Sequence, residues 1–257
     1  AITSKPSFDP NKFAAGISPK NWRDLVTDEW HPLQNRSIHG QYPPGSTYKI
    51  VTAIAGLGEG VIKPDTSIFC PGHFKLGRGR YRCWKKSGHG FMNLHDALVQ
   101  SCDVYFYTIG HRLGIDTIAK YAKRFGLGRS TRLGLSREKK GLVPTTQWKL
   151  LNKKEPWQLG ETISASIGQG FNLVTPIQQV IMMAAVANRG ILLKPYLVKR
   201  IEGPEGQLRQ EFFPEIIGQI GVDPDHLEQV RMALRDVVNG ARGTGKKSRL
   251  KNIIVSG

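Results

Sequence analysis

Ser46 and Lys49 are the residues whose types and spacing point most directly to covalent chemistry in this 257-residue chain. They stand in Gly45-Ser46-Thr47-Tyr48-Lys49, after the irregular approach Gln41-Tyr42-Pro43-Pro44. Helix formers and small residues follow, so the spacing predicts a helix over 46–57 with Ser46 as its N-cap or first-turn residue. Helix positions three apart share a face, which sets the serine hydroxyl near the lysine ammonium. A serine hydroxyl is a weak nucleophile until a base takes its proton. A lysine is such a base when burial or neighbouring positive charge lowers its pKa, and the positive end of the helix dipole acts in the same sense. An N-cap serine beside a solvated lysine gives the same tetrapeptide by chance, so the chemistry needs further parts from elsewhere in the chain.

The second group is Cys70, Cys83, His89 and Cys102. All three cysteines of the chain fall within 33 residues, with His89 among them. An odd number so close together is not a disulfide framework; it leaves one thiol free or points to a metal. Three thiolates and an imidazole form a tetrahedral set suited to a structural zinc, with His73 as the reserve ligand. Two alternatives stand beside it. One is a Cys70–Cys83 disulfide with Cys102 as a small buried residue. The other is three unconnected thiols.

The elements that must position these residues are read from caps, breakers and periodicity. Ser18 or Asn21 can cap a short helix over 22–26 in an otherwise irregular segment 1–40. The helix over 46–57 is apolar nearly all round, which marks a buried central helix, and it stops at Gly58 and Gly60. Segment 62–92 is long and poorly patterned, so it is functional or stapled. Asn93 caps a helix over 94–100, residues 104–113 read as another that closes at Gly114, and Asp116 caps one over 117–125. Residues 127–160 read as a loop rich in glycine, proline and lysine, with a short helix over 161–167 after it. Thr175-Pro176 is an N-cap and N1 pair opening a helix over 176–188. Residues 191–201 and 207–213 alternate as a hairpin around Gly203-Pro204-Glu205-Gly206. Asp223-Pro224 starts a helix that ends near Asn239, and 252–256 reads as the start of a strand. Central helices with late strands give an α+β class, an antiparallel sheet with helices packed on it.

Composition agrees with a globular chain: 39% of residues are hydrophobic and 22% charged, and no apolar run reaches the ~18 residues a bilayer span needs. The net charge is +17, which favours an anionic partner such as an acidic polymer or a lipid surface. Basic clusters lie at 75–86, 137–140 and 242–251. No RNP pattern or zinc-finger spacing accompanies them, so nucleic acid is not the expected partner.

Several motifs in order give a resemblance. Ser7-Phe8-Asp9-Pro10-Asn11, Pro44-Gly45-Ser46-Thr47-Tyr48-Lys49, Gly88-His89-Gly90, Ser101-Cys102-Asp103-Val104-Tyr105-Phe106-Tyr107, Ser166-Ile167-Gly168-Gln169-Gly170 and Thr175-Pro176 together resemble the transpeptidase domain of class B penicillin-binding proteins. The likeness is to the elongation group, penicillin-binding protein 2, and covers essentially the whole chain. It implies the penicillin-binding-protein and serine β-lactamase-like fold, and a peptidoglycan D,D-transpeptidase acting in cell elongation and shape. It implies Ser46 as the nucleophile toward the penultimate D-Ala carbonyl of a stem peptide, Lys49 as its base, Ser101 as a proton relay and Asp103 as a partner of Lys49. Asp103 stands where many relatives have Asn; ionised, it accepts hydrogen bonds but cannot donate one. By the same resemblance some relatives carry zinc near the active site, at positions that map onto Cys70, Cys83, His89 and Cys102. The implied partners are D-Ala-D-Ala stem peptides, β-lactams and a membrane-embedded glycosyltransferase. The implied location is the periplasmic face of the inner membrane.

The third motif of the family, Lys-Thr/Ser-Gly on a strand, reads as absent, and Gly243-Thr244-Gly245-Lys246 lies too early to be it. Residues 1–257 are therefore expected to be one transpeptidase domain lacking its first strand and its third-motif strand, with the sheet truncated at both ends, and weakly active or inactive alone. The alternatives are a β-lactamase or D,D-carboxypeptidase of the same superfamily, or a non-catalytic penicillin-binding or sensor module.

Overall fold

In the computed structural model, which describes residues 2–257, helix starts follow their capping residues. Ser18 accepts the Asn21 N–H and opens α1 (Pro19–Thr27). Asn35 opens the short α2 (Arg36–His39). Gly45–Tyr48 is a turn of 3₁₀ helix that runs into α3 (Lys49–Gly58). The expected N-cap role of Ser46 is thus corrected: the cap position falls on Pro44, without a side-chain cap. The positive φ of Gly45, 60°, tightens the chain there into a 3₁₀ turn. All nine residues from Lys49 to Leu57 are buried, and α3 is the central helix that its apolar circumference predicts.

The segment expected to be unpatterned holds two antiparallel ribbons. β1 (Ile68–Cys70) pairs with β4 (Gly90–Met92), and β2 (His73–Leu76) pairs with β3 (Gly79–Arg82). Strands of three or four residues are too short for alternation to stand out. Asn93 caps α4 (Leu94–Val99), accepting the Asp96 N–H at 2.8 Å. α5 (Asp103–Leu113) stops at Gly114, φ 75°, and α6 (Ile115–Arg124) starts there. Asp116 is not its cap. Its carboxylate accepts the N–H and hydroxyl of Thr146 at 3.0 and 2.7 Å, at the start of α7 (Thr146–Lys153).

That helix lies in the stretch read as loop. Its lysines hid it, since Lys149 is buried at 3% exposure and held by Glu161 at 2.6 Å. α8 (Leu159–Ala165) carries a Gln158/Glu161 capping box, and α9 (Pro176–Ala187) a Thr175/Gln178 box. The expected 191–213 hairpin is split. β5 (Ile191–Leu193) pairs with the later β8 (Ile216–Gln219), and β6 (Arg200–Glu202) pairs with β7 (Leu208–Glu211). Pro195, which has no N–H for a ladder, separates the two pairs. α10 (Pro224–Asn239) follows the Asp223 cap. Residues 252–256 form no strand; Gly257 N–H and Val255 O instead bond Leu234 O and Asn239 Nδ2 at 3.0 and 2.8 Å.

The class is the expected one, helices packed on small antiparallel strand pairs, with α5, α6 and α10 against α3. The single sheet is not: among the described residues the strands form four separate two-stranded pairs. No helix among them is long and apolar enough to cross a membrane.

Candidate active site

Ser46 sits on the 3₁₀ turn, at the mouth of a cleft of about 690 Å³ lined by Arg82, Cys83, Trp84, Ser101, Asp103, Tyr107, Ile167, Gln169 and Thr244 as well. Lys49 begins α3 one turn on and is 1% exposed. Its Nζ donates to the Ser101 carbonyl and hydroxyl, both at 2.9 Å, and to Asp103 Oδ1 at 2.6 Å. The Ser101 hydroxyl lies 3.0 Å from Ser46 Oγ. Ser101 Oγ thus bridges the expected Ser46–Lys49 pair, accepting from Lys49 Nζ and donating to Ser46 Oγ.

Ser101 lies between Gln100, the C-cap of α4, and Cys102 with φ 52°, a left-handed conformation that costs a non-glycine residue about 1 kcal/mol. The strain is held by bonds at both sides of the residue. Its N–H reaches Leu98 O at 3.1 Å, and its carbonyl accepts Lys49 Nζ and, at 3.0 Å, the indole N–H of Trp84. Asp103 opens α5 and accepts the Trp84 backbone N–H on Oδ2 at 3.0 Å. The Phe106 ring lies 5.6 Å from Lys49 Nζ, and favours a cation over its face.

The Ser166–Gly170 segment backs the Ser46 turn. Gly45 N–H donates to Gly168 O at 3.0 Å. Gly168 has φ 73°, and a Cβ there would run into the Gly45 carbonyl oxygen and come within 2.7 Å of Tyr48 Cβ. Glycine is what lets the two backbones touch.

Behind Ser101 and Asp103 lie Cys70, Cys83, His89 and Cys102, their ligand atoms all within 4.8 Å of one another. The three cysteines are free and buried. His89 Nδ1 is 3.6 Å from Cys70 Sγ and 3.5 Å from Cys83 Sγ. Tetrahedral bonds of about 2.3 Å to sulfur and 2.0–2.1 Å to nitrogen require an N···S edge of about 3.6 Å, which these two edges match. Gly72 and Gly88, with φ 90° and 82°, let the backbones of 70–72 and 86–88 cross where a Cβ on either would overlap the other. The neighbouring Cys102 thiol, with the backbone N–H groups of Lys85, Val104 and Asp103, pulls the Cys83 thiol down to about 5 against the opposing effect of burial. The nearness of Cys83, with burial, pushes the Cys102 thiol up. The reserve ligand His73 lies on β2 and receives the Arg80 guanidinium at 3.3 Å instead.

The sequence profile described as "Penicillin binding protein transpeptidase domain" matches residues 1–257. The chain belongs to this family. It is similar to peptidoglycan D,D-transpeptidase MrdA of Acinetobacter baumannii, 38% identical over 98% of the chain, and to MrdA of Escherichia coli K12, 42% identical over 77% of it. The chain spans 38% and 32% of the length of those two relatives. Pseudomonas aeruginosa PBP2, solved in complex with WCK 5153, superposes with a TM-score of 0.87 at 40% identity, over 95% of the chain and 53% of that structure. Helicobacter pylori PBP2, solved in complex with MreC, superposes at 0.88 and 30% identity, over 99% and 46%.

In this transpeptidase domain the sequence reading missed Trp84, whose indole and backbone N–H groups bond Ser101 and Asp103, together with Arg82, Tyr107 and Thr244 at the cleft. Only the aromatic beside Cys83 carried a signal. The triplet Lys86-Ser87-Gly88 matches the third motif in residue types only. It lies in the loop after β3, among the cluster residues, rather than on a strand beside Ser46, and lines no part of the cleft.

Proposed function

We propose that the chain is the acyl-transfer domain of a peptidoglycan D,D-transpeptidase that cross-links stem peptides through a Ser46 acyl-enzyme. The observation that carries this is the Ser101 hydroxyl, bonded at once to Lys49 Nζ and Ser46 Oγ at 2.9 and 3.0 Å. An ammonium has three donors and no lone pair. Lys49 therefore takes a proton only as the neutral amine, its two N–H groups on Asp103 and the Ser101 carbonyl, its lone pair toward the Ser101 hydroxyl. As Ser46 Oγ attacks the penultimate D-Ala carbonyl, its proton passes to Ser101 and the Ser101 proton to Lys49. The relay runs in reverse to protonate the departing D-Ala amine. An amine from a second stem then attacks the ester and frees Ser46. In the full-length protein, Ser46→Ala should abolish labelling by a fluorescent penicillin and Lys49→Ala nearly so. Labelling of Ser46→Ala at the parent's level would end the assignment.

A structural zinc held by Cys70, Cys83, His89 and Cys102 belongs to the same reading. Its support is the donor set and its spacing. Bound there, zinc supplies no step of the reaction; it ties the 68–92 ribbons to the start of α5 and so fixes Ser101 and Asp103 from behind. One zinc per chain by elemental analysis, with three free thiols after chelation, is the expected result. No metal, with a mass two protons light under non-reducing conditions, would sink it in favour of a disulfide.

β-Lactams, and synthase partners of the kind named for the PBP2 relatives, follow from the family, as does the periplasmic face of the inner membrane. The 257 residues alone should acylate slowly, since among the described residues no Lys-Thr-Gly strand borders the cleft and one oxyanion donor is worth about a hundred- to a thousandfold. Acylation at the full-length rate would overturn that.

A further inference from the structure

The β2–β3 ribbon carries a charge pattern that the acyl-transfer site does not use. Residues 66–95 contain Lys75, Arg78, Arg80, Arg82, Lys85 and Lys86 and no Asp or Glu. All six side chains are exposed, and among the described residues none of them enters an ion pair. The register sets Lys75 directly opposite Arg80 and His73 opposite Arg82. Like charges facing each other across a ladder destabilise it, so this face gains when an anion lies over it.

The other face fixes where the charges point. Phe74 and Tyr81 pack on Tyr107 of α5, with ring centroids 6.3 and 6.0 Å apart. The Tyr107 hydroxyl donates to Arg82 O at 3.2 Å. That bond sets the last residue of the ribbon at the rim of the cleft that holds Ser46, and Arg82 lines it next to the 58%-exposed Trp84. The row of cations thus runs along the ribbon and ends in the cleft.

We propose that this row is a carboxylate-reading subsite: it holds the anionic side groups of the peptide that leads up to the acylated carbonyl, with Arg82 nearest the reacting end. A guanidinium suits this task because it presents paired donors to a carboxylate. A peptide is favoured over a lipid surface because Arg82 opens into a concave site that a flat bilayer cannot enter. The inference rests on the stem-peptide reading of the Ser46 cleft.

The test uses the full-length protein and two donor peptides ending in D-Ala-D-Ala. One carries a free side-chain carboxylate upstream, and in the other that group is amidated. Release of D-alanine, with a D-amino acid as acceptor, gives a ratio of kcat/KM values in which losses common to both peptides cancel. The parent should prefer the acidic peptide by about tenfold, the effect of one charge-assisted hydrogen bond, and less so as salt rises. Arg82→Gln should bring the ratio close to one, Arg82→Lys should keep most of it, and Lys75→Gln with Arg80→Gln should lower it in part. A ratio near one in the parent, or one unchanged by Arg82→Gln, overturns the inference. So does a result in which the variants lose only binding to phosphatidylglycerol vesicles, which would make the ribbon a lipid-facing surface. A parent that turns over neither peptide and takes no penicillin on Ser46 refutes the transpeptidase reading itself, and this inference with it.

Discussion

Gly168 and Gly170 offer a controlled comparison of what holds the Ser46 turn in place. Both have positive φ, 73° and 67°, so alanine at either pays about 1–2 kcal/mol for the left-handed backbone. They differ in their surroundings. A Cβ on Gly170 meets nothing closer than Ser164 Cβ at 3.6 Å, an ordinary contact, whereas one on Gly168 runs into the Gly45 backbone and Tyr48 Cβ. Relieving that overlap adds an overpacking term of about 1–3 kcal/mol and strains the 3.0 Å bond from Gly45 N–H to Gly168 O. Gly168→Ala should therefore be less stable than Gly170→Ala by about 2–3 kcal/mol, which at this size is about 5–10 °C in Tm. The function should separate further. The displaced atoms belong to the residue before Ser46, and a shift of about 1 Å at a reacting group can cost about a hundredfold in rate. Gly168→Ala should thus label with fluorescent penicillin about a hundredfold more slowly, and Gly170→Ala at close to the parent's rate. Thermal melts and labelling time courses on the full-length protein read both. Two variants that melt within about a degree of each other and label alike would show that the close approach at Gly168 does not position the nucleophile.

Two further substitutions separate geometry from chemistry. Ser101→Gly removes the relay hydroxyl but also the left-handed strain at φ 52°. Its melting temperature should stay near the parent's, because relieved strain offsets added chain entropy, while labelling falls by about a hundredfold; a large loss of stability would refute the strain. Trp84→Phe keeps the ring and deletes the indole N–H that reaches Gln100 O and Ser101 O at 3.1 and 3.0 Å. Labelling should slow by about tenfold, and an unchanged rate would remove Trp84 from the support of Ser101.

The legible parts of the chain were those where one residue type answers one local need. Thr175-Pro176, Asn93, Asp223-Pro224 and Gly114 mark helix ends in the structure as they do in the sequence. The four ligand-type residues in the cysteine-rich stretch, rare enough to pick out by composition, do meet in space. What failed has a physical reason in each case. The ribbons of 68–92 are too short for a period to emerge. α7 hides behind lysines, one of which is buried by an ion pair rather than solvated. The exchange of β8 for β7 as the partner of β5 is a long-range choice that no local pattern states. In the site, Ser46 and Lys49 were evident from spacing, but the Ser101 hydroxyl that bonds both of them arrives from a distant part of the chain, which is a tertiary fact.

The burial of α3 has a consequence for how the site opens. Its amides lie in a helix enclosed on every side, so hydrogen exchange there should report only global unfolding. The β2–β3 ribbon, two strands of four residues with an exposed outer face, should exchange through local openings of far lower free energy. The cleft is therefore assembled from the most protected and among the least protected backbone in the chain. Lys49 stands at the protected end, and Arg82 and Trp84 at the labile one. A ligand that clasps the ribbon against the helix should register chiefly as slowed exchange in the ribbon, leaving the helix as it was.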